Sequence, residues 1–97
     1  MDLSTKLLNK TLKNPLMPAS GPLTGDLEKM LYLFNSGVGT MVTKTISIEG
    51  AKVPRPCIIG GKDYIMNTEL WSEFSSEIWL NEILPQLKEK LDIPLIV

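Results

Sequence analysis

The run Gly39-Thr40-Met41-Val42-Thr43-Lys44 decides how this chain is read. It is short, rich in β-branched residues and bounded by glycine, as a buried strand should be. Before it, from Asp26 to Asn35, the apolar residues Leu27, Met30, Leu31 and Phe34 recur at helical spacing. Asp26 and Glu28 occupy the first turn, where acids are favoured, and Gly37 is placed to end the helix. Earlier still, Leu16-Met17-Pro18-Ala19 is a short apolar run stopped by Ser20-Gly21-Pro22, predicted to be a buried strand ending in a tight turn. Strand, helix and strand in this order make a βαβ unit, so the fold class is α/β and the sheet should be parallel.

Outward from that unit the chain keeps the same rhythm. Leu3 to Leu12, broken at Asn9-Lys10, is predicted to form a short hairpin across one end of the domain. Thr45 to Met66 carries Gly50, Pro54, Pro56 and Gly60-Gly61 with little sustained periodicity, and reads as a long excursion from the end of the second strand. Ser75 to Leu91 has an apolar face of Leu80, Ile83, Leu84, Leu87 and Leu91, with Pro85 expected to kink the helix or restart it as a fresh first turn. Ile93-Pro94-Leu95-Ile96-Val97 is then a third strand. Residues 1–97 therefore read as one partial barrel domain, an opening piece whose sheet edges and apolar faces need further polypeptide. The other expectation is a small three-strand domain completed by self-association.

Composition narrows the chemistry. At 43% hydrophobic and 22% charged residues the chain has the make-up of an ordinary soluble domain. Ten basic against eleven acidic residues, for a formal charge of -1, give no electrostatic footprint for nucleic acid or an acidic membrane surface. No apolar run is long enough to span a bilayer and no signal-peptide pattern opens the chain, so the expected compartment is cytoplasmic. The absence of histidine removes imidazole metal sites and Ser-His or Cys-His dyads, and no metal site is expected. Cys57, the one cysteine, has no internal disulfide partner and is read as a small packed apolar residue rather than a reactive thiol.

In parallel α/β proteins the reactive groups gather at the carboxyl ends of the strands. Ala19-Ser20-Gly21, Thr43-Lys44-Thr45 and Asn67-Thr68-Glu69-Leu70-Trp71-Ser72-Glu73 fall where such a site should be. Gly21 lets backbone approach a flat ligand and Ser20 offers a hydroxyl, although a plain strand-to-helix turn needs no more than this. Lys44 would bring a compact positive charge to an electron-rich or anionic ring, or else reach into solvent. Asn67 supplies a donor and an acceptor and Glu69 a carboxylate two residues on; both also suit a solvated loop or a helix cap.

In combination and order, these clusters resemble the dihydroorotate dehydrogenase family. The resemblance rests on the opening hairpin, Lys13-Asn14-Pro15-Leu16-Met17-Pro18-Ala19-Ser20-Gly21, Gly39-Thr40-Met41-Val42-Thr43-Lys44-Thr45, Pro54-Arg55-Pro56 and Ile65-Met66-Asn67, and spans nearly the whole chain. It implies the N-terminal portion of a TIM (β/α)8 barrel with an N-terminal β-hairpin, and flavin mononucleotide as cofactor. Ala19, Ser20, Gly21, Lys44, Thr45 and Asn67 would then line the flavin, and Lys44, Asn67, Glu69 and Trp71 would face a small pyrimidine substrate. Hydride would pass between substrate and flavin, with the proton handled by a residue beyond Val97 and no catalytic residue within these 97. A second copy or an electron-transfer subunit is the implied protein partner. After Asn67 the sequence departs from the usual Met-Gly-Leu-Pro-Asn-like stretch. Its Asn-x-Glu-Leu resembles dihydropyrimidine dehydrogenases, which implies an uncharged pyrimidine facing Glu69 and repulsion of the orotate carboxylate.

Overall fold

Two antiparallel strands open the chain, β1 (Thr5–Leu7) and β2 (Lys10–Leu12), in a computed structural model that describes residues 1–97. Thr5 pairs with Leu12 and Leu7 with Lys10, so the turn is Leu8-Asn9, one residue earlier than the sequence suggested, with Leu8 at φ 53°. A two-residue hairpin loop demands positive φ, which is why a leucine is held there. Leu12, at the end of β2, is buried.

The next segment corrects an expectation. Leu16-Met17-Pro18-Ala19 is not a buried strand: Leu16 is 61% and Met17 46% exposed, and no ladder forms. A single backbone bond, Gly39 N–H to Leu16 O at 3.0 Å, ties it to the start of the following strand. One bond does not bury an apolar run, which needs a neighbour on each side and a covering layer. Asn14 anchors the same crossing, its Nδ2 donating to Gly37 O at 2.7 Å and its Oδ1 accepting from Leu16 N–H at 3.0 Å. The Asn14 backbone lies where a side chain on Gly39 would start, so the close approach requires glycine.

Helix α1 (Leu27–Asn35) follows the 3-10 turn Pro22–Thr24. Asp26 caps it, Oδ1 accepting from Lys29 N–H at 2.8 Å, and Gly37 ends it at φ 96°. Strand β3 (Met41–Val42) comes next. The excursion then carries a second hairpin that the sequence reading had not separated, β4 (Ile58–Gly60) with β5 (Ile65–Asn67), Ile58 opposite Asn67.

The last helix is α2 (Ser76–Ile78), a π-helical stretch (Trp79–Ile83) and α3 (Leu84–Lys90) run together. Leu84 N–H donates to Trp79 O, five residues back, and Pro85 then falls in the first turn of α3. The wider π turn takes up the missing N–H and the ring of proline without breaking the helix. Strand β6 (Leu95–Ile96) pairs in parallel with β3, Met41 opposite Leu95 and Val42 opposite Ile96.

The core forms where α1 and the last helix meet β3, from Met30, Val38, Met41, Trp79, Ile83 and Leu87. Trp79 is wholly buried and its indole N–H donates to Ser72 Oγ at 2.8 Å. Only 14 of the 97 residues are buried, and the radius of gyration is 15.1 Å. A compact chain of this length has a radius of about 12.5 Å. The fold is thus mixed α/β with one parallel pair and no closed barrel, and much apolar surface is uncovered. No helix is long and apolar enough to cross a membrane.

Candidate functional site

Lys44 leaves the end of β3 and is held on both sides. Its N–H donates to Thr24 O at 3.0 Å, and its side chain is buried to 9% exposure. The ammonium forms an ion pair with Oε2 of Glu69, whose side chain is 12% exposed. This excludes the solvent-directed lysine that the sequence left open. The other Glu69 oxygen, Oε1, accepts from Cys57 Sγ at 3.1 Å and stands 3.9 Å from Nη1 of Arg55. Nη2 of Arg55 donates to both oxygens of Glu73 at 2.8 Å each. Glu69 is placed by Asn67, whose Oδ1 accepts from Glu69 N–H at 2.8 Å in a side-chain-closed turn. The Lys44 hydrogen bond, and after it that of the Cys57 thiol, hold the Glu69 carboxyl below its ordinary range against the opposing pull of burial, with the charges of Lys44 and Arg55 adding to them.

The chain positions these groups by pinning both ends of the excursion. Ser72 N–H donates to Thr45 O at 2.9 Å, Ala51 N–H to Ser72 O at 2.8 Å, and Ser76 N–H to Ser47 O at 2.9 Å. The same Ser72 receives the Trp79 indole, so the loop carrying Glu69 is tied to the core.

Two openings flank Lys44. A narrow polar cleft of about 80 Å³ lies among Pro22, Gly25, Asp26, Lys29, Lys44, Arg55, Glu69, Glu73 and Phe74. A wider groove of about 420 Å³ runs over the carboxyl ends of β3 and β6, lined by Ser20, Val42, Thr43, Lys44, Thr45, Ile46, Ile96 and Val97. Its hydroxyls gather beside apolar side chains, with Lys44 on the boundary to the cleft that holds its ion pair, which suits a flat ring with polar edges. The larger groove, about 660 Å³ along Leu80, Leu84, Leu87, Leu91 and Ile93, has Lys88 as its one charged lining residue and no converging polar groups.

Of the residues singled out in the sequence, Ser20, Lys44 and Thr45 share the wider groove. Gly21 turns the chain beside it, its N–H donating to Thr24 Oγ1 at 3.2 Å, and Ala19 is exposed next to Ser20. Glu69 meets Lys44 from the other side through the ion pair and Asn67 positions Glu69, but neither residue lines the wider groove. Trp71 is 42% exposed with its indole N–H committed to Glu49 O at 2.9 Å. Cys57 is not the packed apolar residue expected; it is half-buried and its thiol donates to a carboxylate. Arg55 and Glu73 were quoted in the sequence without a role, and no local spacing signals that they meet. No group of three or more His, Cys, Asp or Glu side chains could hold a metal ion.

No protein-family model matches the sequence. Among curated proteins, the chain is 34% identical over 88 residues to the catalytic subunit of dihydroorotate dehydrogenase B (NAD(+)) from Desulforudis audaxviator, covering 90% of this chain and 28% of that protein. Identity is 39% over 67 residues to the same subunit from Thermoplasma acidophilum, over 68% of this chain and 22% of the relative. The fumarate-type dihydroorotate dehydrogenase of Saccharomyces paradoxus is 32% identical over 95 residues, 97% of this chain and 30% of its own length. The chain thus spans less than a third of the length of the curated relatives it matches.

Proposed function

This chain belongs by sequence to the dihydroorotate dehydrogenase family, and we propose that it contributes one rim of the active site of an FMN-dependent oxidoreductase that moves hydride between a dihydropyrimidine and flavin. The observation that carries this reading is the groove at the carboxyl ends of the parallel pair, in which Ser20, Lys44 and Thr45 converge. In a parallel barrel that is the catalytic end, and the remaining strands would come from polypeptide outside these residues.

The groove fits the flavin ring system. Val42, Ile46, Ile96 and Val97 offer apolar contact, while Ser20, Thr45 and Lys44 offer hydrogen-bonding groups and a positive charge at its edge. Ala19 and Gly21 continue the same rim. The flavin, when bound, supplies the hydride-accepting centre, and the protein supplies placement and charge. Lys44 stabilises negative charge on the ring, and Asn67 and Glu69 present acceptors and a donor to pyrimidine edges, with Trp71 flanking them.

Glu69 sets the substrate preference. A carboxylate held ionised accepts from ring N–H groups and repels a substrate carboxylate, so dihydrouracil or dihydrothymine is favoured over dihydroorotate. Expression together with the natural downstream sequence tests the cofactor reading: a yellow protein with a flavin spectrum is expected. A colourless, well-folded product with no affinity for added FMN contradicts it.

A second reading, a non-catalytic module that self-associates, draws support from the uncovered groove along Leu80, Leu84 and Leu91. Size-exclusion chromatography separates the two. A stable flavin-free oligomer favours the module, while flavin binding gained on mixing with the remaining barrel strands of a full-length relative favours the enzyme. A second copy or an electron-transfer subunit is the protein partner that the enzyme reading adds.

A further inference from the structure

The cluster beside Lys44 contains two cations and two carboxylates, and one of its contacts stops short. Both bonds from Arg55 to Glu73 leave from the same nitrogen, Nη2. The other nitrogen, Nη1, stands 3.9 Å from Oε1 of Glu69, about 1 Å beyond a charge-assisted hydrogen bond. Glu69 therefore touches Lys44 through one oxygen and faces a second cation with the other. Its side chain is only 12% exposed, so losing Lys44 to another anion would strand a buried carboxylate. The Arg55 side chain, at 57% exposure, has room to close the distance.

We propose that Arg55 is the standby counter-ion of Glu69, a positioning residue that takes the carboxylate on Nη1 when an anionic group claims Lys44, while Glu73 holds the guanidinium through Nη2. The anionic group is the reduced, negatively charged flavin ring that the preceding reading brings to Lys44, and for that ligand the inference rests on that reading. After the exchange Lys44 faces the ligand and Arg55 faces both carboxylates, so neither carboxylate is left without a cation. Cys57 donates to the same Oε1 at 3.1 Å, so its thiol follows or shares the oxygen. The remaining charged groups of the cleft are Asp26 and Lys29, which pair with each other at 3.5 Å.

The test needs neither flavin nor pyrimidine. Lys44→Met in the full chain imitates the loss of Lys44, and the Glu69 carboxyl is titrated by carbon-13 NMR. Glu69 should stay below the ordinary value of 4.5 in Lys44→Met and in Arg55→Gln, and rise clearly above both single variants only when the changes are combined and the Cys57 thiol is its one remaining donor. If Lys44→Met alone raises it as far as the pair of changes does, Arg55 is no standby and the proposal is overturned. Acylating the Lys44 amine of the folded natural chain, confirmed by mass spectrometry, provides the check should Lys44→Met fail to fold. Glu69 should then stay lowered in the natural chain and rise in Arg55→Gln; an equal rise in both also overturns it. A chain that passes these tests and binds no FMN would refute the proposed function and leave the exchange standing.

Discussion

Lys44 and Glu69 lie 25 positions apart in the chain and meet as an ion pair whose side chains are 9% and 12% exposed. The pair joins the end of β3 to the return of the excursion, so it is both a structural tie and a charged element of the proposed site.

Acid should loosen that tie. The folded-state value of Glu69 is depressed, so its contribution to stability is fully present above the ordinary value of 4.5 and is lost as pH falls through the folded value. Thermal unfolding of the natural chain and of Glu69→Gln, followed from neutral pH into acid, should converge as the pH drops. At neutral pH the substitution should cost about 1–3 kcal/mol, because it leaves the Lys44 charge without its carboxylate. Lys44→Met should cost less, since Arg55 and Cys57 still face Glu69. Equal pH profiles for Glu69→Gln and the natural chain would show that the pair carries no stability.

Trp79 couples the loop to the core. Trp79→Phe keeps most of the apolar volume and removes the bond to Ser72, with an expected loss of about 2 kcal/mol in urea unfolding. Ser72→Ala should lose a comparable amount, and the double change should lose less than the sum of the two.

The Gly39 crossing tolerates no side chain. Gly39→Ala would drive a methyl group into the Asn14 backbone, and the expected cost is about 1–3 kcal/mol with a lowered Tm. Gly39→Ala melting like the natural chain would show that the segment from Asn14 to Leu16 is free to move aside.

Substrate choice should follow the charge on Glu69. In the complete enzyme, Glu69→Gln should raise kcat/KM for dihydroorotate relative to dihydrouracil by about tenfold, by removing like-charge repulsion. No relative gain would remove the reason for assigning a neutral pyrimidine.

Local periodicity was enough to place both helices. Asp26, Gly37 and Ser75 bound them as their cap chemistry requires, and the β-branched run before Lys44 became the strand that pairs in parallel. Leu16-Met17-Pro18-Ala19 was misread because an apolar run reports a tendency to be buried, whereas its neighbours here supply one hydrogen bond. The β4–β5 hairpin was readable in principle, from Ile58-Ile59 and Ile65-Met66 around Gly60-Gly61, yet the surrounding prolines masked it. At the site, Lys44 and Glu69 were named singly and their pairing was not, since a contact 25 residues apart is set by topology. Arg55 and Cys57 belong to the same lesson: which carboxylate each would meet depends on how the excursion folds back.

Lys44 and Glu69 are proposed to flank a flavin and a dihydropyrimidine. Anaerobic mixing of the complete, flavin-bearing protein with dihydrouracil or dihydroorotate, followed by flavin absorbance, tests this placement most directly. The oxidised flavin should bleach, faster with dihydrouracil, and about 100-fold slower in Lys44→Met. A flavin that stays oxidised with both compounds would contradict it.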